Sequence, residues 1–123
     1  MIPTERQEQI KLHQWCKLKK LVSFAIPNGG SRHKLEAINL KREGVTAGIS
    51  DYVVMLPNKI LFLELKRSRR LLKSGKLSVS HTKTSPEQLK FLQTITESFD
   101  YADGFVCYGC NSAIEYIESH LNS

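Results

Sequence analysis

Two short blocks of the chain plant charged groups inside apolar, strand-like runs: Gly48-Ile49-Ser50-Asp51 and Glu64-Leu65-Lys66. Between them lie Tyr52-Val53-Val54-Met55-Leu56, Pro57-Asn58 and Lys59-Ile60-Leu61-Phe62-Leu63, which read as two strands joined at a tight turn. A turn centred on Pro57-Asn58 gives cross-strand partners whose numbers sum to 115, so Leu56 meets Lys59, Val53 meets Phe62, and Asp51 falls opposite Glu64. Opposed antiparallel residues have Cβ atoms about 4.5 to 5.5 Å apart, a spacing at which like charges destabilise the pairing. A compensating group is therefore required. The period of two along a strand sends Lys66 to the same face as Glu64, and two close carboxylates suit a hard divalent cation such as Mg²⁺, which takes oxygen ligands and keeps several waters. Asp51 and Glu64 thus read as a metal site with a lysine beside it. Taken alone, Asp51 also reads as a turn residue after Gly48, and Lys66 as a simple ion-pair partner of Glu64. The geometry depends on a symmetric turn. Pro57 excludes the type I′ form, and a one-residue bulge would part the two carboxylates.

The elements that must hold these residues follow from pattern and punctuation. Thr4 with Gln7 forms a capping-box pattern ahead of a helix at about 5–19, whose apolar stripe is Ile10, Leu12, Cys16 and Leu18, with Glu5 and Glu8 in its first turns. A strand at 22–26 stops at Pro27-Asn28-Gly29-Gly30, and a helix from about 31 to 43 carries Leu35, Ala37, Ile38 and Leu40, with Gly44 as its C-terminal stop. Both faces of the hairpin are apolar, so it belongs in the centre of a sheet covered by helices on both sides. Residues 67–84 read as a long basic loop. Ser85-Pro86-Glu87-Gln88 then opens a helix to about 98, with Leu89, Phe91, Leu92 and Ile95 inward. A strand at 103–108 leads to a helix at 112–121 with Ser112 and Glu115 as another capping box. The order α-β-α-β-β-α-β-α predicts an α/β fold with one mixed sheet flanked by helices.

At 123 residues the chain is one domain in size. Hydrophobic residues at 41% and charged residues at 24% exclude a disordered chain. No apolar run reaches membrane-spanning length and Met1-Ile2-Pro3-Thr4-Glu5-Arg6 has no hydrophobic signal region, so a cytoplasmic protein, without a membrane partner, is expected. Net charge is +6. Lys66, Arg67, Arg69, Arg70, Lys73 and Lys76 crowd together with no acid among them, a pattern that favours polyanions, nucleic acid first. Aromatics do not interleave with this run, so base stacking is not its mode, and the plain alternative is a solvated, solubilising loop.

Three cysteines are an odd number, against a disulfide framework. Cys107-Tyr108-Gly109-Cys110 has the spacing of a thiol redox pair. Too little chain follows it to build a thioredoxin-like domain, and no fourth zinc ligand is spaced to join Cys16. Structural thiols are the expected reading.

Glu in the first helix, Gly-x-x-Asp opening one strand, Glu-x-Lys closing the next and Gln at the head of the following helix resemble the PD-(D/E)xK nuclease superfamily, whose core is restriction-endonuclease-like. More narrowly, Thr4-Glu5-Arg6-Gln7-Glu8-Gln9, Ile26-Pro27-Asn28-Gly29-Gly30, the run from Lys41 to Asp51, Leu63-Glu64-Leu65-Lys66 and Ser85-Pro86-Glu87-Gln88 are similar to a stand-alone VRR-NUC domain of the phage and bacterial type. Ser50 departs from the proline common before the aspartate, and the 67–84 segment is longer than usual. The resemblance implies Mg²⁺- or Mn²⁺-dependent hydrolysis of DNA phosphodiester bonds by a homodimer similar to Holliday-junction resolvases, acting on four-way or other branched DNA. It implies metal ligation by Asp51, Glu64 and the Leu65 carbonyl, completed by Glu5 (or Glu8), with Lys66 orienting water or offsetting charge. Gln88 either contacts phosphate or water, or only caps its helix. Asn28, Arg32, Lys34, Lys41, Arg67, Arg69, Arg70 and Lys73 are the expected DNA contacts. A non-catalytic DNA-binding module with a degenerate acidic pair is the alternative reading, and a thiol redox protein the third.

Overall fold

The computed structural model describes residues 3–27, 34–68, 73–76 and 84–121. Its elements are α1 (Glu5–Leu18), β1 (Val22–Ala25), α2 (Lys34–Arg42), β2 (Tyr52–Met55), β3 (Ile60–Lys66), α3 (Pro86–Ser98), β4 (Ala102–Tyr108) and α4 (Cys110–Leu121). The strands form one sheet in the order β1-β2-β3-β4, antiparallel except for the parallel pair β3 and β4. A parallel neighbour needs a crossover rather than a tight turn, and α3 lies in that crossover.

The β2–β3 register is Tyr52 with Leu63, Val53 with Phe62, Val54 with Leu61 and Met55 with Ile60, the pairing a symmetric turn predicts. Leu56 N–H donates to the Lys59 carbonyl at 2.7 Å and Lys59 N–H returns to the Leu56 carbonyl at 3.4 Å, so no bulge intervenes. On one sheet face Tyr52, Val54, Leu61, Leu63, Leu65 and Cys107 pack against Leu12 and Cys16 of α1 and Cys110, Ala113 and Ile117 of α4. At about 1.5–3 kcal/mol per fully buried large apolar side chain, this face supplies most of the burial. The other face is thinner. α3 covers it with Phe91 edge-on to Phe62, ring centroids 5.7 Å apart, and with Leu92 over Gly104.

Two of the three expected capping boxes are present: the Thr4 and Ser85 side chains accept from Gln7 N–H and Gln88 N–H, and the glutamines reach back. Four details differ from expectation, the first being that Ile38 of α2 is exposed. In α1, Ile10 and Leu18 are exposed, because the buried stripe runs Glu8, Leu12, Cys16 at a spacing of four. In α3, Leu89 is exposed and Leu92 carries the contact with the sheet. Helix α4 begins at Cys110, ahead of the expected Ser112 cap, because the Glu8 carboxylate accepts the Cys110 N–H at 3.2 Å and supplies the cap from α1. The cysteines are buried free thiols, and burial pushes Cys107 up to about 12 and raises Cys110. Such thiols are poor nucleophiles, which argues against the redox reading.

A Cβ at Gly104 would stand 2.8 Å from the Leu92 backbone. Gly104→Ala should therefore push α3 off the sheet and cost about 1–3 kcal/mol, read as a lower melting temperature; an unchanged value would show that α3 yields freely.

Candidate active site

Asp51 sits where the β1–β2–β3 ladder runs out. Its carbonyl accepts the Ile26 N–H at 2.8 Å, one step beyond the last β1–β2 pair, so its backbone faces β1. Its side chain reaches the other way: Oδ2 accepts the Leu65 N–H at 3.1 Å, taking the place of a backbone partner beyond Tyr52 and Leu63. Gly48 makes this placement possible. Its φ of +84° lies in the left-handed region, and a Cβ there would stand 2.8 Å from Glu87 in the first turn of α3. The turn before Asp51 is thereby pressed against α3.

Glu64 is 1% exposed, and its Oε1 has no hydrogen-bond partner among the described residues. Its Oε2 lies 3.7 Å from Lys66 Nζ. Burial, then a hydrogen bond with Asp51 and the Asp51 charge, push the Glu64 carboxyl up to about 8, with Lys66 pulling it down and Glu5 pushing it further up. Glu5, first residue of α1, is raised by burial and then by Asp51, again against Lys66. Glu5, Asp51, Glu64 and Lys66 therefore form one electrostatic group.

Lys66 Nζ also donates to Gln88 Oε1 at 3.4 Å, while the same oxygen accepts the Ser85 N–H at 2.9 Å. Gln88 is thus both the capping residue of α3 and a contact of Lys66. The two readings open in the sequence are not exclusive. Glu8 is a different matter: it is buried, and its carboxylate accepts from Cys110 N–H and from the Ser68 hydroxyl. This second acid of α1 serves the junction of α1, α4 and the end of β3, whereas Glu5 interacts with Asp51 and Lys66. Sequence patterning missed the role because the bond spans 102 positions.

Of the expected nucleic-acid contacts, Asn28, Arg32, Arg69 and Arg70 lie outside the described residues. Lys34 opens α2. Lys41 and Lys73 are exposed, and Arg67 Nε donates to the Pro3 carbonyl at 3.1 Å, tying the N-terminal segment to the end of β3. No helix among the described residues is long and apolar enough to cross a membrane.

Among the described residues no three His, Cys, Asp or Glu side chains form a ready-made cation cage. The donor chemistry nevertheless fits a hard cation that keeps several waters: two electrostatically coupled carboxylates, one with a buried oxygen that has no partner among the described residues. The groups able to hold it are Asp51, Glu64 and the adjacent main chain of Leu65, with Glu5 at the mouth.

No family model matches the chain and no curated protein matches it. Among solved structures, one described as a VRR_NUC domain protein superposes with a TM-score of 0.72 over 98% of this chain and 89% of that one, at 19% identity. The chain has the VRR_NUC fold, a mixed sheet flanked by helices in the order the sequence predicts.

The raised Glu64 carboxyl sets a pH dependence. The unfolded chain gives up this proton near 4.5 and the metal-free fold near about 8. The contribution of neutral Glu64 to stability is therefore fully present below the lower value and lost as pH rises through the upper one. In chelator, the melting temperature should fall across that window, and Glu64→Gln should flatten the fall. A wild-type profile no steeper than that of the variant would remove Glu64 as its source.

Proposed function

We propose that this protein is a divalent-cation-dependent DNA endonuclease of the VRR-NUC kind that hydrolyses phosphodiester bonds in branched DNA, four-way junctions above all. The observation that carries the reading is the buried Glu64 carboxylate, its Oε1 unpartnered among the described residues, interacting with Asp51 at the sheet end where Lys66 and Gln88 converge. Such a group is costly to bury for structural reasons alone. Mg²⁺ or Mn²⁺ bound there would polarise the scissile phosphate and make a coordinated water more acidic. Asp51 and Glu64 would hold the cation with the Leu65 carbonyl, and Glu5 would complete the shell directly or through water. Lys66 orients the attacking water or offsets negative charge on the phosphate as it develops. Gln88, through its bond to Nζ, holds the ammonium on the site side. The surplus of cations, +6 overall, supports a polyanionic substrate.

Cutting two strands of a junction calls for two sites, and closed two-fold symmetry is the commonest way for identical chains to supply them. The homodimer is part of the proposal. Val22, Phe24 and Met55, exposed apolar side chains adjoining across β1 and β2, provide surface for a second copy.

Asp51→Asn and Glu64→Gln should each abolish Mg²⁺-dependent cleavage of a four-way junction while leaving junction affinity in chelator nearly intact. Lys66→Ala should lower the rate by about 10²–10³-fold with a much smaller effect on binding. Wild-type rates in either carboxylate variant would refute the metal site, and a loss confined to affinity would reassign Lys66 to phosphate contact.

Neutralising Arg67, Arg69, Arg70 and Lys73 together should weaken binding to all sequences and reduce the log–log salt slope by about 0.9 per lost duplex phosphate contact. An unchanged slope would leave the basic segment as a solubilising loop.

A further inference from the structure

Beside the sheet edge lies a cavity of about 780 Å³ between α1 and β1, within the ~300–1,000 Å³ range of ligand clefts. One wall is a stripe of α1, Arg6, Gln9, His13 and Lys17, spaced at three and four residues and therefore on one helix face. The core takes Leu12 and Cys16 from this helix, and the stripe meets it through the contact of His13 with Tyr52. Each member of the stripe carries a charge or a hydrogen-bonding group.

His13 is held in a defined position. Its Nδ1 lies 2.6 Å from the Tyr52 hydroxyl, which donates to Ser23 Oγ at 2.6 Å. With Nδ1 engaged by Tyr52, Nε2 is the nitrogen left for a ligand. The opposite wall is the edge strand β1. Ile26 N–H points at Asp51, and by antiparallel alternation the N–H groups of Ser23 and Ala25 point away from β2, to the open side. Glu5 lines the groove and also interacts electrostatically with Asp51 and Lys66, which makes it the residue shared by the groove and the acidic group.

We propose that this groove binds an unpaired, single-stranded stretch of the nucleic-acid substrate as it leaves the acidic site, a proposal that rests on the nuclease reading. Arg6 and Lys17 meet its phosphates, while His13 Nε2 and the outward N–H groups of β1 supply hydrogen bonds. From Arg6 to Lys17 the helix provides about 16 Å of wall, long enough for a short run of nucleotides. Arg6, Lys17 and the link to the acidic site through Glu5 favour a phosphate backbone over a peptide strand added to the β1 edge.

The test is fluorescence anisotropy of the full chain in chelator, comparing a blunt hairpin duplex with the same duplex carrying a single-stranded tail of about six nucleotides. The tail should tighten binding about tenfold. Arg6→Ala with Lys17→Ala, both exposed positions that spare the core, should bring the tailed-to-blunt ratio to one and lower the salt slope on tailed DNA by about 0.7 per lost contact. His13→Ala should remove most of the gain. A tail that adds nothing, or a gain that survives the double variant, overturns the proposal. So does a double variant that changes self-association in sedimentation instead of tail binding, which would give the groove to a second copy. Chelator separates this from catalysis. A chain that grips tails through these residues but never cuts refutes the nuclease reading alone, and one that cuts yet ignores tails refutes the groove alone.

Discussion

The burial of the Glu64 carboxylate beside Asp51 is the constraint around which this fold is arranged. A unit charge pair about 4 Å apart is worth roughly 4 kcal/mol at an effective dielectric of 20, while taking a carboxylate out of water costs several kcal/mol per ion. Lys66, 3.7 Å from Glu64, therefore cannot keep two adjoining carboxylates ionised by itself. In the metal-free protein burial and Asp51 favour the protonated Glu64 carboxyl, which is raised against the pull of Lys66. A cation between the two acids would displace that proton, coupling metal affinity to pH.

The neighbouring features follow from the need to hold this arrangement still. The hairpin aligns β2 with β3, and the Asp51 side chain ties itself to Leu65 N–H where backbone pairing ends. Gly48 lets α3 press on the turn from outside, and the capping glutamine of that helix, Gln88, touches Lys66. Helix α1 serves three surfaces at once. Leu12 and Cys16 enter the core, Glu8 caps α4, and Glu5 faces the acidic pair. A shift of α1 along its axis would disturb all three, which links the stability of the core to the geometry of the site.

Much of this was legible in the sequence because it is local. Alternation and a two-residue turn predict the β2–β3 pairing, and Thr4 with Gln7 and Ser85 with Gln88 announce two helix starts through bonds only three residues long. Order of elements and a mixed sheet follow from the same punctuation. What escaped was decided by contacts distant in the chain. The start of α4 is set by Glu8, the exposure of Ile10 and Leu18 by which face of α1 meets the sheet, and the placement of the His13 ring by a tyrosine 39 positions away. A buried glutamate on a helix flanked by Leu12 and Cys16 at spacings of four was the available signal for Glu8, but a first-turn acid has an ordinary explanation in the helix dipole.

The central claim is that Asp51 and Glu64 exist as a pair to hold a divalent cation. Crystals soaked in Mn²⁺ and measured at the manganese absorption edge test it most directly. The account predicts an anomalous peak between the two side chains, within about 2–2.3 Å of a Glu64 oxygen, and its disappearance in Glu64→Gln crystals. A soak that leaves the pair without anomalous density while Mn²⁺ binds elsewhere on the chain would contradict it.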